Sequence, residues 1–196
     1  MAINNIVDES FIINQKKLKQ FGDRCSNVKI GIMGGTFDPI HYAHLATAEF
    51  IRDNYKLDKI LFIPSGNPPH KKGNITDKYD RYNMVLLSTV NNDDFIVSDI
   101  EIKREKSTYT IDTLKVLKQI YINAEIYFIT GADAICDIET WKDVEGNFKL
   151  ANFIAATRPG ISLLRANEKI KELKDKYNAN IESVYVPSLD ISSTYI

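Results

Sequence analysis

Cysteine is scarce in this chain. Cys25 and Cys136 are the only two in 196 residues, and they lack metal-site spacing, so a multi-bridge disulfide scaffold is excluded and a reducing compartment suits them. Charge of one sign is lacking too: Lys and Arg number 25 against 26 Asp and Glu, a net charge of −1. No bulk positive field exists to hold a nucleic-acid backbone or an anionic membrane, so neither partner is expected and any phosphate must be bound locally. Long hydrophobic runs are missing, the longest being short pieces such as 60–63 and 126–129, against the about 20 residues a membrane helix needs. The first 24 residues contain no basic stretch followed by the apolar core of a secretory signal. A soluble, cytoplasmic protein is the expectation. Internal repeats and low-complexity tracts are absent as well. What remains is an ordinary folded composition, 44% hydrophobic and 26% charged, at a length that suits one domain plus some extra.

Short apolar runs at 28–33, 59–64, 95–97, 125–130, 152–157 and 181–186 read as strands. Between them lie helical stripes, one beginning with Leu45, Ala48, Ile51 and Arg52, a second of Tyr82, Val85, Leu86 and Thr89, and a third of Ile111, Leu114, Leu117 and Ile120. Strands that are continuously apolar rather than alternating are covered on both faces, which predicts an α/β fold with a mostly parallel sheet and helices on either side. In such sheets ligands sit beyond the carboxyl ends of the strands. Residues 1–27 stand apart as an N-terminal extension in which Val7, Phe11, Leu18 and Phe21 share a helical face. The domain proper is expected over 28–196.

Directly after the first strand comes Gly34, Gly35, Thr36, Phe37, Asp38, Pro39, Ile40, His41, Tyr42, Ala43, His44, and then a helical pattern. Paired glycines let the backbone turn tightly and approach a ligand, and the N-terminus of the following helix offers N–H groups to an anion. Neither G-x-x-x-x-G-K-[ST] nor G-x-G-x-x-G occurs, which argues against a P-loop NTPase or a dinucleotide oxidoreductase. Instead His41 and His44, three apart, project from the first helical turn and could hold a phosphoryl group. All three histidines of the chain, with His70, lie in the loops after the first two strands. H-x-x-H without a nearby Cys or third His does not make a zinc site, and no protein-bound metal is expected.

The string GGTFDPIHYAH resembles the signature of nucleotidyltransferases that use an H-x-G-H motif, and in the form GGTFDPIH it resembles the bacterial nicotinate-nucleotide adenylyltransferases. Ala43 stands where the motif has glycine. The string Pro68, Pro69, His70, Lys71, Lys72 is similar to the family's P-P-H-K segment. The resemblance continues through Ser107, Thr108, Tyr109 and Thr110, through Gly131, Ala132, Asp133, and through Trp141 ten residues after Gly131 with Lys142 behind it. It ends with Arg158, Pro159, Gly160 and with Ile191, Ser192, Ser193, Thr194, similar to the family's I-S-S-T-x-[IV]-R without its arginine. From this end the natural chain is expected to continue past Ile196.

The resemblance implies a Rossmann-like, doubly wound fold and an enzyme that joins ATP to nicotinate mononucleotide, giving nicotinate adenine dinucleotide and pyrophosphate, with Mg²⁺ carried by ATP. It implies a catalytic role for His41, His44 and Lys71. It implies ATP binding by Gly34, Gly35, Thr36, Phe37, His41, His44, Gly131, Asp133, Ile191, Ser192, Ser193 and Thr194. Lys71, Thr110, Trp141, Lys142 and Arg158 would receive the mononucleotide, Trp141 by stacking on the pyridine ring, while Arg158 either stacks on a base or contacts phosphate. The rival expectations are a phosphopantetheine adenylyltransferase-like enzyme and a non-catalytic nucleotide-sensing module. Homo-oligomerisation is left open by the sequence.

Overall fold

The structure, a computed structural model, describes residues 2–22, 27–68, 74–157, 163–187 and 193. Six strands form one sheet: β1 (Lys29–Gly35), β2 (Lys59–Pro64), β3 (Phe95–Val97), β4 (Glu125–Gly131), β5 (Asn152–Thr157) and β6 (Ile181–Tyr185). Their order is β3-β2-β1-β4-β5-β6, and every pairing is parallel. The helices are α1 (Ala2–Gly22), α2 (Tyr42–Tyr55), α3 (Lys78–Thr89), α4 (Thr110–Ile120), α5 (Ala132–Cys136), α6 (Val144–Leu150) and α7 (Leu163–Tyr177), with a 3₁₀ turn at Ile138–Thr140. Among the described residues no helix is long and apolar enough to cross a membrane.

Strand alternation sorts the core into two layers. Ile30, Ile32, Leu61 and Ile63 pack on one face with Leu114 and Leu117 of α4, Ile135 of α5, Phe148 of α6 and Leu173 of α7. Met33, Ile60 and Phe62 pack on the other with Ala48 and Ile51 of α2 and Val85 and Leu86 of α3. This is the doubly wound α/β arrangement the apolar runs predict. The chain goes from β1 to β2 on one side and returns after β3 to β4 on the other, so the direction of winding switches between β1 and β4.

Two expectations need correction. Strand β1 runs through Gly34 and Gly35, so the glycine pair is extended rather than turned. The left-handed residue that starts the turn is Phe37, at φ 49°. Such backbone on a phenylalanine costs on the order of 1–3 kcal/mol, offset here by burial of its ring to 3% exposure against Phe62 and His44. Helix α1 forms and packs inward through Leu18 and Phe21 of the expected face, but Phe11 is exposed and the polar Ser10 and Asn14 are buried instead. The reason lies at the sheet edge. Asn14 Nδ2 donates to the Val97 carbonyl at 2.8 Å, and the Val97 N–H donates to Asn14 Oδ1 at 2.8 Å. Lys17 Nζ donates to the carbonyls of Val90 and Asn92 at 2.9 and 2.7 Å. The polar groups of the edge strand β3 thus find partners on α1.

Candidate active site

At the β1/β4 switch two cavities open, one on each side. The first, about 210 Å³, is lined by Gly34, Gly35 and Thr36 at the end of β1, with Thr110, Thr130 and Trp141 across from them. The second, about 140 Å³, lies beside His44 and Thr47 of α2 and is lined by Gly34, Thr130, Gly131 and Ala156. Gly34 and Thr130 belong to both. A Cβ at Gly34 would meet only the ring of Phe128, at 3.5 Å, which lines the first cavity. At Gly131 a Cβ would meet nothing within 4 Å.

The histidines sit at the start of α2. His41 is its N-cap, extended at φ −146°, and His44 is three residues on. The His41 N–H donates to His44 Nδ1 at 3.3 Å. The rings stack at 3.8 Å between centroids with a 31° tilt, and Phe37 meets His44 edge-on at 5.1 Å. Because Nδ1 of His44 accepts a hydrogen bond, the neutral ring carries its proton on Nε2, which makes that nitrogen a donor. Ala43 lies within α2 and is 3% exposed, so its methyl sits on helical backbone that tolerates it.

On the other side of the first cavity, Thr110 is the first residue of α4 and Tyr109 its cap, without a side-chain hydrogen bond. Trp141 ends the 3₁₀ turn and meets Phe128 edge-on at 6.0 Å. Lys142 points elsewhere. Its Nζ bonds Asp112 Oδ2 at 3.0 Å and lies 4.6 Å from the Tyr109 ring centroid, in an outer groove separate from the cavity that Trp141 lines. Asp133 is exposed in the first turn of α5. The Ser193 hydroxyl donates to the Pro39 carbonyl at 3.0 Å, bringing the last motif onto the loop after β1. Lys71, Arg158, Ile191, Ser192 and Thr194 lie outside the described residues.

Two residues at this site were not singled out from the sequence. Glu101, 8% exposed, lines the first cavity and accepts from the Thr113 hydroxyl at 2.7 Å. Burial pushes its carboxyl above the ordinary carboxylate range, while hydrogen bonds from Thr113 and the Gly66 N–H and the charge of Arg104 pull the other way. The second is Arg81 of α3, 1% exposed, whose guanidinium is surrounded by backbone carbonyls. Neither had a motif to mark it, because a buried charge shows its partners only after folding.

Residues 32–196 match the family described as cytidylyltransferase-like. A probable nicotinate-nucleotide adenylyltransferase from Thermoanaerobacter sp. (strain X514) is 54% identical over 171 residues, covering 86% of this chain and 81% of that protein. One from Clostridium tetani is 43% identical over 169 residues, 86% of this chain and 84% of that protein. The chain belongs to the nicotinate-nucleotide adenylyltransferases. Among solved structures, the nicotinic acid mononucleotide adenylyltransferase of Plasmodium falciparum complexed with NaAD superimposes with a TM-score of 0.72 at 27% identity, covering 86% of this chain and 82% of that one. The same Plasmodium enzyme complexed with APC gives 0.69 at 26% identity.

This nicotinate-nucleotide adenylyltransferase is therefore a nucleotidyltransferase, of the family that carries out the adenylyl-transfer step of NAD biosynthesis. Residues 2–22 precede the matched region, so the sheet edge covered by α1 is a feature outside the family match.

Proposed function

We propose that the cavity around Trp141 and Thr110 receives nicotinate mononucleotide, that the one beside His44 receives the adenosine of ATP, and that adenylyl transfer takes place between them at Gly34. The observation that carries this reading is the shared wall: two cavities meet at the switch point through Gly34 and Thr130. One suits a flat ring beside a tryptophan. The other opens on the imidazole of His44 in the first turn of a helix.

In this reading an oxygen of the mononucleotide phosphate forms a bond to the α-phosphorus of ATP. The bond from that phosphorus to the bridging oxygen breaks, and its electron pair leaves with pyrophosphate. The attacking phosphate is already ionised near neutral pH, so no base is required and the rate comes from alignment and charge stabilisation. The Nε2–H of His44 and the ring of His41 face the developing charge, together with N–H groups of the Thr36–Phe37 turn and the Lys71 ammonium. The backbone N–H groups that open α4 at Thr110 receive the nicotinate carboxylate, as a helix N-terminus favours an anion. Ser192, Ser193 and Thr194 hold polyphosphate, Asp133 holds the ribose hydroxyls, and Mg²⁺ enters on ATP as part of that substrate.

Pyrophosphate release from MgATP, measured in parallel with nicotinate mononucleotide, nicotinamide mononucleotide and 4′-phosphopantetheine, tests the reading. The acid mononucleotide is expected to support turnover well above the other two. Preference for phosphopantetheine, or binding without release, would overturn it.

A further inference from the structure

Arg81 reaches the site from α3, and its guanidinium hydrogen-bonds to backbone carbonyls. Its Nη1 donates to the Thr36 carbonyl at 2.6 Å, Nη2 to the Ser65 and Gly66 carbonyls at 2.7 and 3.2 Å, and Nε to the Thr76 carbonyl at 3.0 Å. One planar group thus gathers three separate stretches: the turn after β1, the loop after β2, and the approach to α3. One residue and one peptide among these are held on both sides. Thr76 gives its carbonyl to Arg81 and its N–H to Asp38 Oδ2 at 3.1 Å. The Ser65–Gly66 peptide gives its carbonyl to Arg81 and its N–H to the Glu101 carboxyl. Gly66 is pressed so closely that a Cβ would come within 2.1 Å of the Glu101 carbonyl oxygen.

The consequence follows from peptide geometry. In a trans peptide the C=O and the next N–H point in opposite directions. A loop that is to face polyphosphate must turn its carbonyls away from the anion and keep them satisfied on the far side. Arg81 does this for Thr36, and the Phe37 N–H is thereby left on the opposite side of the turn. A guanidinium is the group for the task, because it stays charged when buried and offers five donors in a fixed fork. Lysine has the charge without the fork.

We propose that Arg81 is a positioning residue for adenylyl transfer, orienting the Thr36–Phe37 peptide so that its N–H edge faces the phosphates and tying that turn to the Ser65–Gly66 loop through one guanidinium. It rests on the adenylyl-transfer reading for its role in turnover, but its effect on phosphate binding can be read separately. A merely structural arginine would alter melting temperature and leave the folded enzyme's ligand preferences alone.

The test is Arg81→Lys, with its fold checked by circular dichroism. Binding of ATP, inorganic pyrophosphate and adenosine is measured by calorimetry, and turnover at saturating substrates by pyrophosphate release. Expected are losses of roughly tenfold or more in kcat and in affinity for ATP and pyrophosphate, the size that follows from misplacing one charge-assisted hydrogen bond, with adenosine affinity unchanged. Equal weakening of adenosine and pyrophosphate, or unchanged kcat and pyrophosphate affinity in the folded variant, overturns the proposal. If Arg81→Lys does not fold, Arg81→Gln is read the same way, and failure of both to fold makes Arg81 a stability residue and ends the idea. A wild-type protein that lacks transfer activity while Arg81→Lys still loses pyrophosphate selectively would sink the functional reading and leave the positioning role standing.

Discussion

The imidazoles of His41 and His44 lie 3.8 Å apart between centroids, and the backbone N–H of the first donates to Nδ1 of the second. One backbone bond thereby fixes which nitrogen of His44 is the donor. His44→Ala removes that donor but leaves the helix N-cap residue in place. The variant is expected to fold normally and to lose about two decades or more of kcat, by analogy with deletion of one oxyanion donor. Near-normal pyrophosphate release would refute the role.

Of the two cavities, Trp141 lines only the first. Trp141→Ala is therefore expected to weaken nicotinate mononucleotide by about 1–3 kcal/mol, the usual worth of base–aromatic stacking, with little change in the KM for ATP. Parallel loss for both substrates would point to damage of the 3₁₀ turn instead.

Asn14 makes two hydrogen bonds to a strand more than eighty positions away in sequence. Replacement by alanine leaves the Val97 N–H and C=O at the sheet edge without those partners, at a cost of about 1–3 kcal/mol. Urea unfolding of Asn14→Ala should show a lower midpoint with an unchanged slope. An unshifted midpoint would mean that α1 contributes nothing to closing the edge.

Glu139 accepts hydrogen bonds from Lys169, Lys176 and Tyr177 of α7, and these hold its carboxyl down at about 2. The ordinary value in an unfolded chain is about 4.3. A depressed carboxyl stabilises the fold fully above the unfolded value, and the contribution fades as pH falls from there through about 2. Glu139→Gln is thus expected to melt below wild type at pH 7, with the gap closing progressively under pH about 4.3. A gap independent of pH would show that packing, not charge, joins α7 to the turn carrying Trp141.

Much of this architecture is legible in the chain because burial on two faces leaves a plain trace. Strands β2, β3 and β5 coincide with their apolar runs, and β1, β4 and β6 differ by one or two residues at an end. The site is legible where one short string holds both ligand groups and their geometry, as in the turn from Gly34 to His44. It is illegible where partners are distant. Arg81 shows no motif because its partners are backbone carbonyls, which every residue has. Successive residues face different ways, so Lys142, beside Trp141 in the chain, pairs with Asp112 in the neighbouring groove, a placement no local string announces. On α1 the apolar Leu18 and Phe21 pack inward as their shared face predicts, whereas the contacts of Asn14 and Lys17 with β3 leave no apolar trace.

Gly34 and Thr130 belong to both cavities, and in the proposed function the reaction joins what the two cavities hold. In the proposed geometry the dinucleotide product straddles that wall and bars both entrances at once. It should therefore compete with either substrate, and its accumulation should slow the enzyme more than a rise in pyrophosphate, which occupies neither ring site. On that placement, the shared wall ties the pace of catalysis to the reaction that next consumes the acid dinucleotide.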